Sequence, residues 1–212
     1  MMTIAISMRV TEAPNYFEER NSISYDLIKF MEVAQLTPLL VPNNLKNIPA
    51  FLKQFNIDGV LLSGGNNINP KLYNCTDVLE DVYDERDQTE KELVEYAINL
   101  ELPIVGICRG FHFLNVFFGG KIKNNIKGHV NQKHQLISEN KEFNFEIVNS
   151  YHNQGVIEGG LGVSLAKLAQ TEDGFVEAFE NKELKLLALQ WHPERDFSEK
   201  GVRLIKNHFT NL

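Results

Sequence analysis

The sequence is poor in cysteine and in basic residues, and it has no long apolar run. Its two cysteines, Cys75 and Cys108, are too few for a disulfide framework and form no Cys-x-x-Cys metal motif. We therefore expect a reducing, cytoplasmic compartment. No stretch approaches the ~20 apolar residues that span a membrane. The start of the chain also lacks the basic region and cleavage site of a secretory leader.

The charge balance is acidic, with 21 Lys and Arg against 28 Asp and Glu and a net charge of −7. Binding to nucleic acid or to an anionic membrane needs basic patches, so we expect neither partner. A local basic pocket for an anionic small molecule remains compatible with this balance. With 212 residues, 43% apolar content and neither repeat nor linker, the chain is predicted to form one domain, residues 1–212.

Short apolar runs alternate with amphipathic segments in the first half of the chain. The predicted strands are 3–10, 37–42, 58–65 and 103–108, the predicted helices are 21–36, 48–55, 87–101 and 109–119, and 66–86 reads as an irregular polar segment. This alternation predicts an α/β fold with a mostly parallel central sheet and helices on both faces.

The second half is predicted to be richer in β structure. Turn signals separate four apolar runs, and a helix closes the chain; the runs are 143–150, 163–171, 174–180 and 184–191, and the helix is 199–209. In open parallel sheets, ligands bind beyond the carboxyl ends of the strands. Three motifs fall there: Ser-Gly-Gly-Asn-Asn after residue 62, Cys108, and Trp-His-Pro-Glu-Arg after residue 190.

Cys108 lies within Gly-Ile-Cys-Arg-Gly, between a predicted strand and a predicted helix. A tight turn of this kind crowds the backbone, so flanking glycines relieve clashes and the central side chain stands clear of the sheet. Amide groups at a helix start stabilise negative charge, which favours a thiolate and a developing oxyanion. The alternative is a small buried cysteine packed against a glycine-rich turn.

A nucleophilic cysteine needs a base, and the base needs a group that orients it. His192 follows a predicted strand, and Glu194 lies two residues further on. In an extended segment, residues i and i+2 project to the same side, so the carboxylate can fix the imidazole. An ordinary surface His-Pro-Glu turn is the alternative interpretation.

Together, Gly-Ile-Cys-Arg-Gly, Gln-Trp-His-Pro-Glu and Leu-Leu-Ser-Gly-Gly resemble class I glutamine amidotransferase domains. The chain is most similar to their γ-glutamyl hydrolase branch, which is peptidase C26-like and includes γ-glutamyl-γ-aminobutyrate hydrolase. The branch also resembles the segments at 61–73, 85–90, 118–122 and 148–156. This resemblance implies a flavodoxin-like three-layer fold and a Cys-His-Glu triad of Cys108, His192 and Glu194.

The resemblance also implies how the site works, with no cofactor and no metal. Cys108 would attack a γ-glutamyl amide to form a γ-glutamyl thioester, while the backbone N–H groups of Gly65 and Arg109 hold the oxyanion. Water would then release glutamate. The residues expected to bind substrate are Gly64, Asn67, His112, Ser150, Tyr151 and His152.

Two positions depart from the family pattern. His112 stands near the place where the family often has Gln, and Asn67 stands where Asp is usual. His152 can also be a structural histidine at the end of a strand.

Other candidates are weaker. His129 and His134 have no nearby cysteine or carboxylate pair, so polar contact with substrate is favoured over a metal site. Cys75 is interpreted as incidental. Arg20, Arg86 and Arg195 are candidates for an anionic leaving group, although such arginines more often pair with neighbouring carboxylates.

Three functions remain open. The first is a stand-alone hydrolase of a γ-glutamyl amine or of a γ-glutamyl nucleotide phosphoramidate, as in capsule biosynthesis. The second is a glutaminase subunit that delivers ammonia to a separate synthetase partner, and the third is a non-catalytic binding protein on the same fold. The expected partner is a small-molecule γ-glutamyl substrate, with a synthetase partner only under the second function, and a homodimer stays open.

Overall fold

A computed structural model of the protein describes residues 1–143 and 147–210. In chain order its strands are β1 (Met2–Ser7), β2 (Arg9–Glu12), β3 (Glu19–Ser22), β4 (Leu36–Val41), β5 (Gly59–Leu62), β6 (Ile104–Ile107), β7 (Val130–His134), β8 (Val148–Tyr151), β9 (Val156–Ile157), β10 (Ala166–Gln170), β11 (Phe175–Asn181) and β12 (Leu186–Leu189). The helices are α1 (Tyr25–Val33), α2 (Ile48–Leu52), α3 (Asp84–Asn99), α4 (Arg109–Phe117), α5 (Pro193–Asp196) and α6 (Glu199–Thr210).

The main sheet has the order β10-β11-β12-β6-β5-β1-β4, and β9 pairs with β11. Five of these strands run parallel, from β12 through β6, β5 and β1 to β4. The pairs β11–β12, β10–β11 and β9–β11 are antiparallel. The predicted mostly parallel sheet with extra β structure in the C-terminal half is therefore confirmed.

Two apolar cores cover the sheet, because neighbouring strand residues point to opposite faces. One core takes Ala5 and Leu62 from the strands and packs them under α2, α3 and α4. The other takes Ile6 and Leu61 and packs them under α1 and α6. Helices thus lie on both faces, and the carboxyl ends of the strands stay open for the site.

Local sequence signals set several helix starts. The Ser24 hydroxyl accepts from the Asp26 N–H and caps α1, and the Asn47 side chain accepts from the Ala50 N–H and caps α2. α3 begins at Asp84, three residues before the predicted start, and acidic residues in its first turn complement the helix dipole.

Some predicted boundaries were wrong. The run 3–10 divides into β1 and the start of a hairpin formed by β2 and β3, so the predicted helix start at residues 21–22 lies in a strand instead. β7 was not predicted; it pairs with β8, which confirms the end of the predicted strand 143–150. Residues 144–146 of that prediction lie outside the described residues. No helix in the described ranges is long and apolar enough to cross a membrane.

Candidate active site

Cys108 lies at a sharp turn between β6 and α4. Its φ of 53° is in the left-handed region that side chains other than glycine rarely adopt. A Cβ on Gly106 would lie 2.7 Å from the backbone of Gly110, and one on Gly110 would lie 2.3 Å from the Leu62 carbonyl oxygen. The two flanking glycines are therefore required by close backbone approach, as the sequence predicts.

His192 and Glu194 follow β12, the strand beside β6. His192 Nδ1 lies 2.6 Å from Glu194 Oε1, and both side chains are buried. Since a carboxylate only accepts, Nδ1 carries the hydrogen and Nε2 is the nitrogen available to another group. The surface-turn interpretation of His-Pro-Glu is therefore wrong.

The side chains of Cys108 and His192 lie next to each other, since a methyl group on Gly64 would contact both. Burial raises the pKa of the Cys108 thiol, but the neighbouring His192 outweighs burial through its charge and its capacity to donate to the thiolate, so the pKa is lowered. Burial likewise lowers the pKa of His192, but Cys108 and Glu194 outweigh it and raise the pKa to about 10. The pair therefore favours a thiolate beside an imidazolium, which is the reactive form of a cysteine nucleophile.

Asn149 holds the backbone of His192, a role that was not predicted from the sequence. Its side-chain amide donates to the His192 carbonyl at 2.7 Å and to Asp196 Oδ2 at 2.6 Å. Its Oδ1 accepts from the His192 N–H at 2.9 Å. The only sequence signal was the Val-Asn-Ser segment at 148–150, which resembles the γ-glutamyl hydrolase branch.

The loop after β5 lies against the same two side chains. A methyl group on Gly64 would lie 3.0 Å from His192 Cε1 and 3.6 Å from Cys108 Cβ. Gly65 has a φ of 85°, which glycine adopts without strain. The predicted oxyanion loop is thus next to the thiol, and its role remains a prediction.

Arg86 shapes this loop and does not face the cleft. It is fully buried, and its guanidinium donates to the carbonyl oxygens of Ser63, Gly64 and Gly65. Our suggestion that Arg86 binds an anionic leaving group is therefore wrong, because its donors are occupied by the loop.

Arg109 contributes to the cleft with its backbone at the first position of α4. Its side chain points into a buried ion network with Asp87 and Glu90, and Glu90 also pairs with Arg86 at 3.1 Å. Two cations and two anions therefore balance one another beneath the turn at Cys108. This network explains why the polar first turns of α3 are buried.

An open cleft of about 200 Å³ lies above these groups. Among the predicted substrate residues it brings together Gly64, Asn67, His112, Tyr151 and His152. Ser150 does not line it, since its hydroxyl donates to the His129 carbonyl at 2.6 Å.

His112 is neutral at ordinary pH. Burial, helped by the positive charges of His152 and Arg109, lowers its pKa to about 3. Its Nε2 has no hydrogen-bond partner among the described residues. The cleft therefore offers a neutral imidazole at this position.

Two arginines besides Arg109 line the cleft. Arg195 lies over the Tyr151 ring, 4.2 Å from its centroid, and Arg9 lies at the side of Gly65. Arg9 was not predicted as a site residue. Arg20 instead pairs with Glu18 on the hairpin and does not line the cleft. Cys75 packs against the core under α2, α3 and α4 and does not line the cleft, which agrees with an incidental role.

Comparison with known proteins defines first a class and then a family. A crystal structure from Thermoplasma acidophilum, of a protein provisionally assigned as part of a GMP synthase, shares the fold with a TM-score of 0.70. The two are 20% identical, and the match covers 99% of this chain and 93% of that one. The architecture is thus the flavodoxin-like fold of class I glutamine amidotransferases. The Peptidase C26 family model matches residues 2–194, and the chain belongs to that family.

Two relatives illustrate the range of the family. The γ-glutamyl-CDP-amidate hydrolase of Campylobacter jejuni is 28% identical over 212 residues, covering 99% of this chain and 98% of that protein. The provisionally named glutamine amidotransferase-like protein YvdE of Lactococcus lactis is 31% identical over 204 residues, covering 82% of each chain. These similarities support an enzyme of the hydrolase and amidotransferase class.

Proposed function

We propose that the protein is a stand-alone cysteine hydrolase that cleaves a γ-glutamyl amide bond and releases glutamate. The observation that carries this proposal is that Cys108 lies beside His192, whose Nδ1 is hydrogen-bonded to Glu194. The left-handed backbone at Cys108 gives further support, because functional residues are often held in such strained conformations.

In the proposed reaction the Cys108 thiolate attacks the γ-carbonyl carbon of the substrate. The C–N bond breaks while His192 donates its proton to the leaving nitrogen, which gives a γ-glutamyl thioester and a free amine. A water molecule then gives its proton to His192 and attacks the thioester. The C–S bond breaks, glutamate leaves, and the thiolate is restored.

Backbone N–H groups of Gly65 and Arg109 are the proposed oxyanion donors. Gly65 belongs to the loop whose carbonyls Arg86 holds, and Arg109 begins α4 directly after the nucleophile. A preorganised pair of donors needs no rearrangement during the reaction, which is why such donors stabilise the charged intermediate strongly.

Polar groups around the thiol are proposed to hold the glutamyl group. Asn67 and Tyr151 line the cleft, and His152 is proposed to contribute through its backbone, because both of its ring nitrogens face other protein groups. The neutral imidazole of His112 can donate one hydrogen bond where the family often has Gln. The side chain of Ser150 is excluded from this role because it is already bonded to His129.

The leaving group is proposed to be anionic, with a nucleotide phosphoramidate as the preferred substrate. Arg9 and Arg195 line the cleft, and Arg9 Nε has no hydrogen-bond partner in the part of the chain that the structure describes. Guanidinium groups suit phosphate oxygens. The name of the Campylobacter relative supports the same substrate class.

The test is glutamate release by the purified protein from three substrates. These are γ-glutamyl-CDP-amidate, γ-glutamyl-γ-aminobutyrate and a γ-glutamyl alkylamide with a neutral leaving group. We expect the first to be cleaved fastest, with no release by Cys108→Ala. Arg9→Gln should lower kcat/KM about tenfold for the nucleotide and little for the alkylamide, while Arg20→Gln, on the same hairpin, should change neither.

Other results would favour the alternatives. Glutamine hydrolysis that appears only with a co-purifying synthetase would identify a glutaminase subunit. Absence of glutamate release, together with equal labelling of Cys75 and Cys108 by a γ-glutamyl electrophile, would identify a binding protein.

A further inference from the structure

A second group of histidines lies beside the cleft, which His152 lines and which His129 and His134 do not. Ring nitrogens of His129 and His152 and a carboxylate oxygen of Glu177 all lie within 4.8 Å of one another. Each of the three residues is at least nine-tenths buried. They come from different segments: the residue before β7, the residue after β8, and the middle of β11.

The hydrogen bonds of the two imidazoles fix which nitrogens are free. His129 Nε2 lies 3.0 Å from Asp173 Oδ2, and His152 Nδ1 lies 2.7 Å from the Gln154 carbonyl. Carboxylates and carbonyls only accept, so these nitrogens carry the hydrogens. His129 Nδ1 and His152 Nε2 are the nitrogens that remain, and neither has a hydrogen-bond partner within the described ranges. Burial lowers the pKa of His152, but Glu177 outweighs burial and raises it, so a metal at His152 Nε2 would bind in place of a proton.

This is the arrangement in which histidines hold metals. A ligating histidine generally donates its second ring N–H to a carboxylate or a backbone carbonyl, which fixes the ring and its tautomer. Asp173 and the Gln154 carbonyl are placed to perform this function for His129 and His152.

Glu177 adds an unsatisfied carboxylate. The residue is fully buried, and neither oxygen has a hydrogen-bond partner in the described part of the chain. The closest charged partner is His152, whose Nε2 lies 3.5 Å from Glu177 Oε1. A buried carboxylate is costly unless a cation or several donors compensate it. The 3.5 Å separation is also close to the spacing of two ligands on one tetrahedral metal, about 3.3 Å for bonds of 2.0–2.1 Å.

We propose that His129, His152 and Glu177 form a binding site for a divalent transition metal, with Zn²⁺ as the best-suited ion. Two imidazole nitrogens and one carboxylate oxygen are a common zinc donor set. His134 is the candidate for a fourth ligand, because its ring centroid lies 4.2 Å from that of His129 and its Nε2 is buried without a partner in the described residues.

The position of the site indicates a structural role. His152 belongs to the segment 151–154, which lines the cleft, and Glu177 belongs to the main sheet. A metal between them would link the segment 151–154 to β11 of the main sheet. It would also stabilise the folded state, because a ligand that binds only the folded state shifts the folding equilibrium towards it, by an amount that rises with the ratio of free ligand to Kd.

The experiment uses Cys108→Ala as the parent, so that no metal can bind the catalytic thiol and the result does not depend on γ-glutamyl hydrolysis. The protein is stripped with a chelator and titrated with Zn²⁺ by calorimetry, and the bound metal is counted by elemental analysis. We expect one equivalent of Zn²⁺ and a higher melting temperature in its presence. Adding Glu177→Gln or His129→Gln should weaken binding at least tenfold.

His208→Gln is the matched control, because His208 is a half-buried histidine outside the cluster whose Nε2 bonds to backbone carbonyls. This variant should retain one equivalent of Zn²⁺. If a cluster variant fails to fold, Co²⁺ bound to the parent gives an independent measurement, and an intense tetrahedral visible spectrum is expected. No retained metal, or equal affinity in parent and Glu177→Gln, would overturn the proposal and leave a simple His152–Glu177 ion pair.

Discussion

Two buried histidine–glutamate pairs line or underlie the same cleft, yet they differ in how they are built. His192 and Glu194 are two residues apart, and a 2.6 Å hydrogen bond joins them beside the Cys108 thiol. His152 and Glu177 are 25 residues apart by their numbering, and their closest atoms are 3.5 Å apart. Within the described residues, the first pair leaves Glu194 Oε2 without a hydrogen-bond partner, whereas the second leaves His152 Nε2 and both Glu177 oxygens without one.

This difference in separation and distance indicates which function each pair is suited to perform. A short, local pair that touches a thiol is suited to proton transfer, because its geometry is fixed by two neighbouring residues. A looser pair assembled from distant strands is suited to hold a ligand between its atoms. Substitutions in the two pairs should therefore have unequal effects on catalysis.

The largest expected effect is on turnover. His192→Ala should lower kcat/KM about 10⁴-fold or more, since it removes both the proton donor and the partner of the thiolate. His152→Ala should lower it about tenfold, because it loosens the segment 151–154 that lines the cleft. Steady-state glutamate release measures both, and equal losses would mean that the two histidines share one function.

The next effect concerns two glycines at positive φ, one near each pair. Gly65→Ala strains the proposed oxyanion loop and brings a Cβ within 2.9 Å of Arg9 Cδ, so a loss of about 10²–10³ in kcat is expected. Gly174→Ala, before β11, has a similar φ of 86° but meets no atom within 4 Å. It should leave kcat nearly unchanged. A comparable kcat loss in both variants would assign the effect to general backbone strain.

A tenfold loss of kcat is expected on substitution of Asn149, which lies between the two pairs. Asn149 lies three residues before His152 and bonds to the backbone of His192. Asn149→Ala leaves buried backbone groups without partners, which should cost about 1–3 kcal/mol of unfolding free energy and about tenfold in kcat. Urea unfolding and kinetics measure the two losses. Unchanged kcat at reduced stability would show that Asn149 does not position His192.

The smallest effect is on the pH profile. The pKa of Cys108 is lowered and that of His192 is raised to about 10, so the thiolate–imidazolium pair should persist up to about pH 10. Glu194→Gln removes a charge that raises the pKa of His192, so kcat/KM, which needs His192 to protonate the leaving nitrogen, should begin to fall at lower pH and be several-fold lower near pH 9. Glu177→Gln should leave the alkaline limb in place. Identical profiles for the two variants would contradict the assignment of Glu194 to His192.

Much of the candidate site could be read from local sequence. The glycines around Cys108 indicate close backbone approach, and the spacing of His192 and Glu194 indicates that their side chains project to the same side. Both signals span only a few residues, so they can be recognised from the sequence. The alternation of strands and helices gave the parallel sheet in the same way. The prediction failed for Arg86, whose partners are distant in the sequence. Arg86 was a candidate to bind an anionic leaving group, but its guanidinium donates to carbonyl oxygens of the loop at 63–65.

The sequence by itself therefore determined the strand–turn–helix that carries Cys108, the alternation of strands and helices along the chain, and the local His192–Glu194 pair. Only the tertiary structure decided that Asn149 fixes His192, that Arg9 reaches the cleft, and that His129 and His152 meet Glu177. Local contacts follow from backbone geometry within a few residues. Contacts between distant segments depend on sheet order and register, which bring together residues that spacing along the chain cannot relate.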